Sequence, residues 1–229
     1  MSCIAIITAR GGSKRIPRKN IKNFLGSPII KYAIDAARNS GCFDEIMVST
    51  DDDEIAAIAI ELGATVPFMR SEETANDFSP TPEVILEVLA NYEKLGQTYK
   101  YCCCIYPTAV FLSGEKLADA YALIKRTNAE SVVPIVPYSS PILRSFGISE
   151  GLLKMNWPEH VYTRSQDLEP AYYDSGQFYL LNVEKFLIYR ALFPKYTLPM
   201  IVSEHEVQDI DDQTDWELAE VKYKILNNI

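Results

Sequence analysis

Short apolar runs separated by segments of helical period fill the first 136 residues, and that alternation leaves the chain few folds to choose from. The runs are residues 4–7, 45–50, 64–68, 101–106 and 131–136. They are brief and largely apolar, as strands buried on both faces are. Between the first two, Ile29, Ile30, Ala33, Ile34 and Ala37 recur at helical spacing until Gly41, with Ser27 expected as N-cap and Pro28 as the first helical residue. Further helices are expected over residues 51–62, closed by Gly63, over 83–95, and from Ser113 to about residue 126. Strand, helix, strand, helix is the pattern of a mostly parallel sheet with helices on both faces. One such α/β domain accounts for 229 residues.

The rhythm then changes. Residues 137–171 hold prolines and short apolar pieces but no long helical period, and read as a hairpin-rich arm inserted in the single domain. Strands are expected again over 177–183 and 197–202. Thr214-x-x-Glu217 has the pattern of a capping box, so a closing helix is expected over about 215–227.

Charge is unevenly spread. Arg10, Lys14, Arg15, Arg18, Lys19 and Lys22 are six of the 22 Lys and Arg, gathered within thirteen residues directly after the first strand, while the whole chain carries a net charge of −9. A broadly acidic protein is a poor binder of nucleic acid or an anionic membrane. The first apolar run is too short for a signal-peptide core or a membrane span, and the expected location is the cytoplasm. Cys102, Cys103 and Cys104 are adjacent, without the separated pairs of a zinc site, and read as small core residues, as do the isolated Cys3 and Cys42.

Three constellations could carry chemistry. Gly11-Gly12 set among the six cations could cradle a small polyphosphate, since backbone N–H groups after a strand donate to phosphate oxygens and Arg and Lys add charge. A solvated basic loop fits the composition equally well. The spacing is neither G-x-x-x-x-G-K-[ST] nor the three-glycine dinucleotide pattern. In Asp209-Ile210-Asp211 an extended backbone turns both carboxylates to one face, as Mg²⁺ on substrate phosphates requires; acids ahead of a helix also cap it, the role expected of Asp212 and Asp215. The polar, aromatic stretch 162–177 includes Arg164, Gln166, Asp174 and Gln177 and suits either a hydroxylated sugar acid or plain solvent. His160 and His205 stand alone.

The residues from Ala9 through Asn20, ARGGSKRIPRKN, resemble the A-R-x-x-S-K-x-x-x-x-K-N signature of the CMP-nonulosonate synthetases, cytidylyltransferases that activate sialic acids. Val48-Ser49-Thr50-Asp51, Arg70 and Asp209-Ile210-Asp211 resemble further segments of that family. Arg164-Ser165-Gln166-Asp167-Leu168 and the DSGQFY run from Asp174 are similar to its pseudaminic acid branch. Tyr106 departs from the glutamine that opens the Q-P-T-S-P-L-R segment of the N-acetylneuraminate enzymes, and Leu112 stands where that segment ends in arginine.

The resemblance implies a Rossmann-like, three-layer nucleotidyltransferase fold. It implies transfer of CMP from CTP to a nonulosonic acid, pseudaminic acid first, with release of pyrophosphate. By the same likeness Arg10 and Lys19 are expected to be catalytic, holding the triphosphate with Gly11, Gly12, Ser13 and Asn20, while Arg70 meets the nucleotide from a second loop. Asp209 and Asp211 are expected to hold Mg²⁺, and Gln177, Asp174, Arg164 and Gln166 to meet the sugar. A homodimer joined through the arm is implied as well. Alternatives are an N-acylneuraminate, legionaminate or Kdo-type cytidylyltransferase, or a non-catalytic nucleotide-sugar binder.

Overall fold

A computed structural model describes residues 2–229. The chain opens with β1 (Cys3–Thr8), then forms a small hairpin from β2 (Asn23–Phe24) and β3 (Ser27–Pro28) before α1 (Ile30–Ser40). There follow β4 (Glu45–Ser49), α2 (Asp53–Glu61), the single turn α3 (Glu72–Ala75), α4 (Thr81–Lys94), β5 (Tyr101–Ile105), α5 (Gly114–Thr127) and β6 (Ser131–Pro137). The arm carries β7 (Phe146–Ser149) and β8 (Leu152–Met155), and the chain ends with β9 (Tyr172–Asp174), β10 (Phe178–Asn182), α6 (Val183–Tyr189), β11 (Thr197–Ile201) and α7 (Gln213–Asn227).

The main sheet runs β11-β6-β10-β5-β1-β4, with β9 paired to β6. β1 is parallel to both β4 and β5, and β11 to β6, whereas β10 runs antiparallel between β5 and β6. Alternate residues of each strand feed opposite cores, as the pleat dictates. Cys3, Ala5, Ile7, Cys103, Ile105 and Leu180 pack with α1, α2 and α5. Ile4, Ile6, Cys102, Cys104 and Leu181 pack with α4 and α6. The three adjacent cysteines are therefore free thiols split between the two cores. Burial pushes the Cys104 thiol up to about 12, so it stays protonated and inert.

Three local expectations are corrected. Ser27 and Pro28 do not start α1: Leu25 and Gly26 both take positive φ, a two-residue hairpin turn that pairs Ser27-Pro28 with Asn23-Phe24. The run 64–68 is no full strand but a single parallel bridge, Met47 to Thr65, and Pro67 has no N–H to extend it. The closing helix begins at Gln213, its capping box built from Asp212 and Asp215 rather than Thr214 and Glu217. Between β6 and β9 the chain forms a hairpin of β7 and β8 with single 3₁₀ turns. No helix among the described residues is long and apolar enough to cross a membrane.

Candidate active site

β1 lies between β4 and β5, with the chain leaving it toward one neighbour and returning on the other. Ligands of open α/β sheets bind outside the carboxyl ends of the strands at such a reversal. The basic loop begins there. The Gly11 N–H donates to Asp51 Oδ1 at 2.8 Å. A side chain at position 11 would bring its Cβ to 2.7 Å from Asp52 Oδ2, so the loop lies flat on the β4–α2 turn only because residue 11 is glycine. Arg18, in the left-handed region at φ 55, fixes the far end: its guanidinium donates to both oxygens of Asp52, at 2.5 and 2.9 Å, and also to Glu54. The Arg18 contact holds the Asp52 carboxyl down at about 2, while Asp52 also caps α2 by accepting from the Ile55 N–H.

The 3₁₀ turn Lys19–Ile21 follows, aiming two polar side chains inward. Buried Asn20 donates to the Arg10 carbonyl at 2.8 Å and so closes the loop on itself. Lys19 Nζ donates to the Ile210 carbonyl at 2.6 Å, across 191 residues of sequence. Apolar packing explains that meeting. Ile210 is fully buried with Ile16 of the basic loop, Phe24, Ile29 and Trp216 of α7, which leaves the flanking Asp209 and Asp211 on the cleft side. Burial lowers the Lys19 pKa, and the two aspartates pull it back. Burial and the Asp211 charge raise that of Asp209. Asp211 accepts from Arg15 at 2.6 Å, and its backbone N–H donates to Asp215.

Arg70 enters from the next loop. It is buried, donating to Ser49 Oγ at 3.0 Å and to the Ser49 carbonyl at 2.7 Å, and burial lowers its pKa.

The structure thus brings Arg10, Ser13, Lys19, Asn20, Arg70, Asp209 and Asp211 to one cleft of about 350 Å³. Gly11 and Gly12 are outside its lining; the Gly11 amide is already committed to Asp51. Gln177, buried, and Asp174, exposed, are outside the lining too. The Tyr106 N–H donates to the Gln177 carbonyl, the Tyr106 hydroxyl meets Thr81 Oγ1 at 2.8 Å, and its ring packs edge-on against Tyr179, whose hydroxyl donates to Asp174. Arg164 and Gln166 are exposed on the arm, Arg164 paired with Asp167, and are not brought to this cleft within one chain. Sequence reasoning passed over Thr8, Ser79, Thr81 and Thr108, which also line it. Thr8 and Thr108 were discoverable as polar residues at the carboxyl ends of parallel strands.

Among the described residues no group of three or more His, Cys, Asp or Glu gathers as a cage for a metal ion. Two carboxylates on one wall are instead the donor set that suits a Mg²⁺ carried on phosphates, because that ion retains waters and phosphate oxygens in its shell.

Comparison with known proteins decides the family. The cytidylyltransferase model matches residues 4–210. The chain is 37% identical over 226 residues to the pseudaminic acid cytidylyltransferase of Campylobacter jejuni, covering 98% of this chain and 97% of that protein. It belongs to the cytidylyltransferase family. Another relative is a CMP-N,N'-diacetyllegionaminic acid synthase of Legionella pneumophila, 33% identical with 96% of this chain covered. A CMP:2-keto-3-deoxy-manno-octonic acid synthetase solved with CTP superposes with a TM-score of 0.72 over the full length of both chains, at 14% identity. The Rossmann-like nucleotidyltransferase fold is therefore shared across this cytidylyltransferase family and more distant chains.

Proposed function

We propose that this cytidylyltransferase joins CMP from CTP to pseudaminic acid. The anomeric hydroxyl oxygen bonds to the α-phosphorus, the bond from that phosphorus to the β-phosphate oxygen breaks, pyrophosphate leaves, and the hydroxyl proton passes to solvent. The observation that carries this reading is the convergence of Lys19 and Arg10 with Asp209 and Asp211 on one cleft, from ends of the chain that the apolar cluster containing Ile16 and Ile210 holds together. Phosphoryl transfer asks a protein for positioning and charge neutralisation rather than covalent chemistry. Arg10 and Lys19 would neutralise the triphosphate and the leaving pyrophosphate. Ser13 and Asn20 would orient it, and Arg70, fixed by Ser49, would meet the nucleoside. Asp209 and Asp211 would hold Mg²⁺, which when bound lowers the pKa of a coordinated hydroxyl and screens phosphate charge.

Likeness to the Campylobacter jejuni protein over nearly the whole chain places pseudaminate ahead of legionaminate and N-acylneuraminate. Gln177 and Asp174 would meet the sugar beyond the part of the cleft lined by Tyr106, an assignment carried by the family likeness. Arg164 and Gln166 would do so from the arm of a second copy, because Phe146, Ile148, Leu152 and Leu153 leave the β7–β8 hairpin with an apolar surface, exposed at 56 to 80%, suited to burial in a homodimer. Five free thiols support a reducing, cytoplasmic setting. Pyrophosphate release with CTP, Mg²⁺ and a panel of nonulosonic acids tests the reading. Turnover is expected with pseudaminic acid; turnover with N-acetylneuraminic or legionaminic acid alone would move the substrate.

A further inference from the structure

Asp77 sits at the tip of the loop between α3 and α4, and its carboxylate grips the basic loop. Oδ1 accepts from Arg10 Nη1 at 2.6 Å, and Oδ2 pairs with Lys14. One oxygen on each of two cations is the arrangement a phosphate group would adopt there. The rest of the tip is tied to itself: Asn76 Nδ2 and Ser79 Oγ both donate to the Glu73 carbonyl, and the Phe78 N–H donates to Asn76. Among the described residues the Asp77 carboxylate bonds to nothing but these two cations, which hold its pKa low. The neighbouring clamp differs, since Arg18 is bound to an aspartate that caps a helix and cannot leave without uncapping it. Asp77 can let go by rotating a side chain.

We propose that Asp77 competes with a nucleotide's phosphates for Arg10 of the cleft lining and for the exposed Lys14 beside it, and so selects nucleotides by the number of phosphates they carry. The proposal rests on the nucleotide reading of the cleft given above. With the latch closed, a ligand that needs these cations binds with its affinity divided by one plus the closing equilibrium constant; a ligand that does not need them is unaffected. Cytidine would bind equally with the latch open or shut, whereas CTP and inorganic tripolyphosphate would have to displace it. A triphosphate can do so because it offers several charges against one carboxylate.

Calorimetric titration of the full chain at low ionic strength, without Mg²⁺, tests this with CTP, tripolyphosphate and cytidine. Asp77→Asn and Asp77→Ala are both expected to bind CTP and tripolyphosphate about threefold to tenfold tighter than the parent, the range two exposed ion pairs can supply. Cytidine affinity should not change, and the gap should narrow as salt screens the pairs. Equal or weaker CTP binding in both variants would overturn the proposal and make Asp77 a support that holds Arg10 in position. Failure of the parent and both variants to bind CTP even after Mg²⁺ is added would overturn the nucleotide reading, and the latch with it.

Discussion

Lys19 is an ammonium half removed from water, lowered in pKa by burial and steadied by Asp209 and Asp211. Such a charge stabilises a transition state most where water is excluded. Lys19→Ala should therefore lower kcat by about 2–4 kcal/mol in barrier terms, the cost typical of a lost electrostatic donor, and an unchanged kcat would remove the residue from the chemistry. Asp211→Asn should shift the Mg²⁺ titration of activity to higher concentration while leaving thermal stability nearly unaltered; a coincident metal titration would make the aspartate structural. Asp52 gives a pH prediction with a definite sign. Its carboxyl falls from an ordinary 3.8 to about 2 through Arg18, so its contribution to stability is complete above about pH 4 and is lost as pH falls toward 2. Asp52→Asn keeps a cap on α2 but removes the charge. The stability difference between parent and variant, followed by urea unfolding, should shrink steadily over that acid range.

The elements that build the cleft are held by apolar contacts that the sequence disguises. Ile210 reads in sequence as a spacer between two acids, yet it is the fully buried anchor that docks the segment before α7 onto Ile16 of the basic loop. Ile210→Ala should cost roughly 2–5 kcal/mol of stability by transfer and cavity terms, and should weaken nucleotide binding through displaced Asp209 and Asp211. Calorimetric melting together with CTP titration would separate the two effects. The alternation of Asp209 and Asp211 was legible because strand periodicity needs only local sequence. The Lys19 to Ile210 bond was not, because nothing local links residues 191 apart. Turn chemistry explains the other misses. Ser27-Pro28 has the composition of a helix start, but Leu25-Gly26 in the left-handed region makes it the second limb of a hairpin. Residues 64–68 have a strand's hydrophobicity, but Pro67 interrupts its ladder.

At the scale of the whole molecule, the alternation of strands and helices from β4 to β6 was largely readable from period, whereas the short β9 and the seven-residue α6 were not, being too brief to show one. The antiparallel course of β10 was not, since a buried run of Phe178–Asn182 carries no sign of its direction. Nor does one chain bring the arm to the cleft: Arg164 and Gln166 stay exposed, next to a hairpin whose apolar side chains face outward. Removing residues 146–155 should convert a dimer to a monomer in sedimentation and reduce turnover; an unchanged mass would assign that surface another role. In the proposed reaction the cleft directs a hydroxyl to the α-phosphorus of CTP. Phosphorus NMR of the full chain with CTP, Mg²⁺ and pseudaminic acid measures this directly. A new phosphodiester resonance and pyrophosphate should grow in equal amounts if that transfer occurs. CDP with orthophosphate, or a spectrum that does not change, would contradict it.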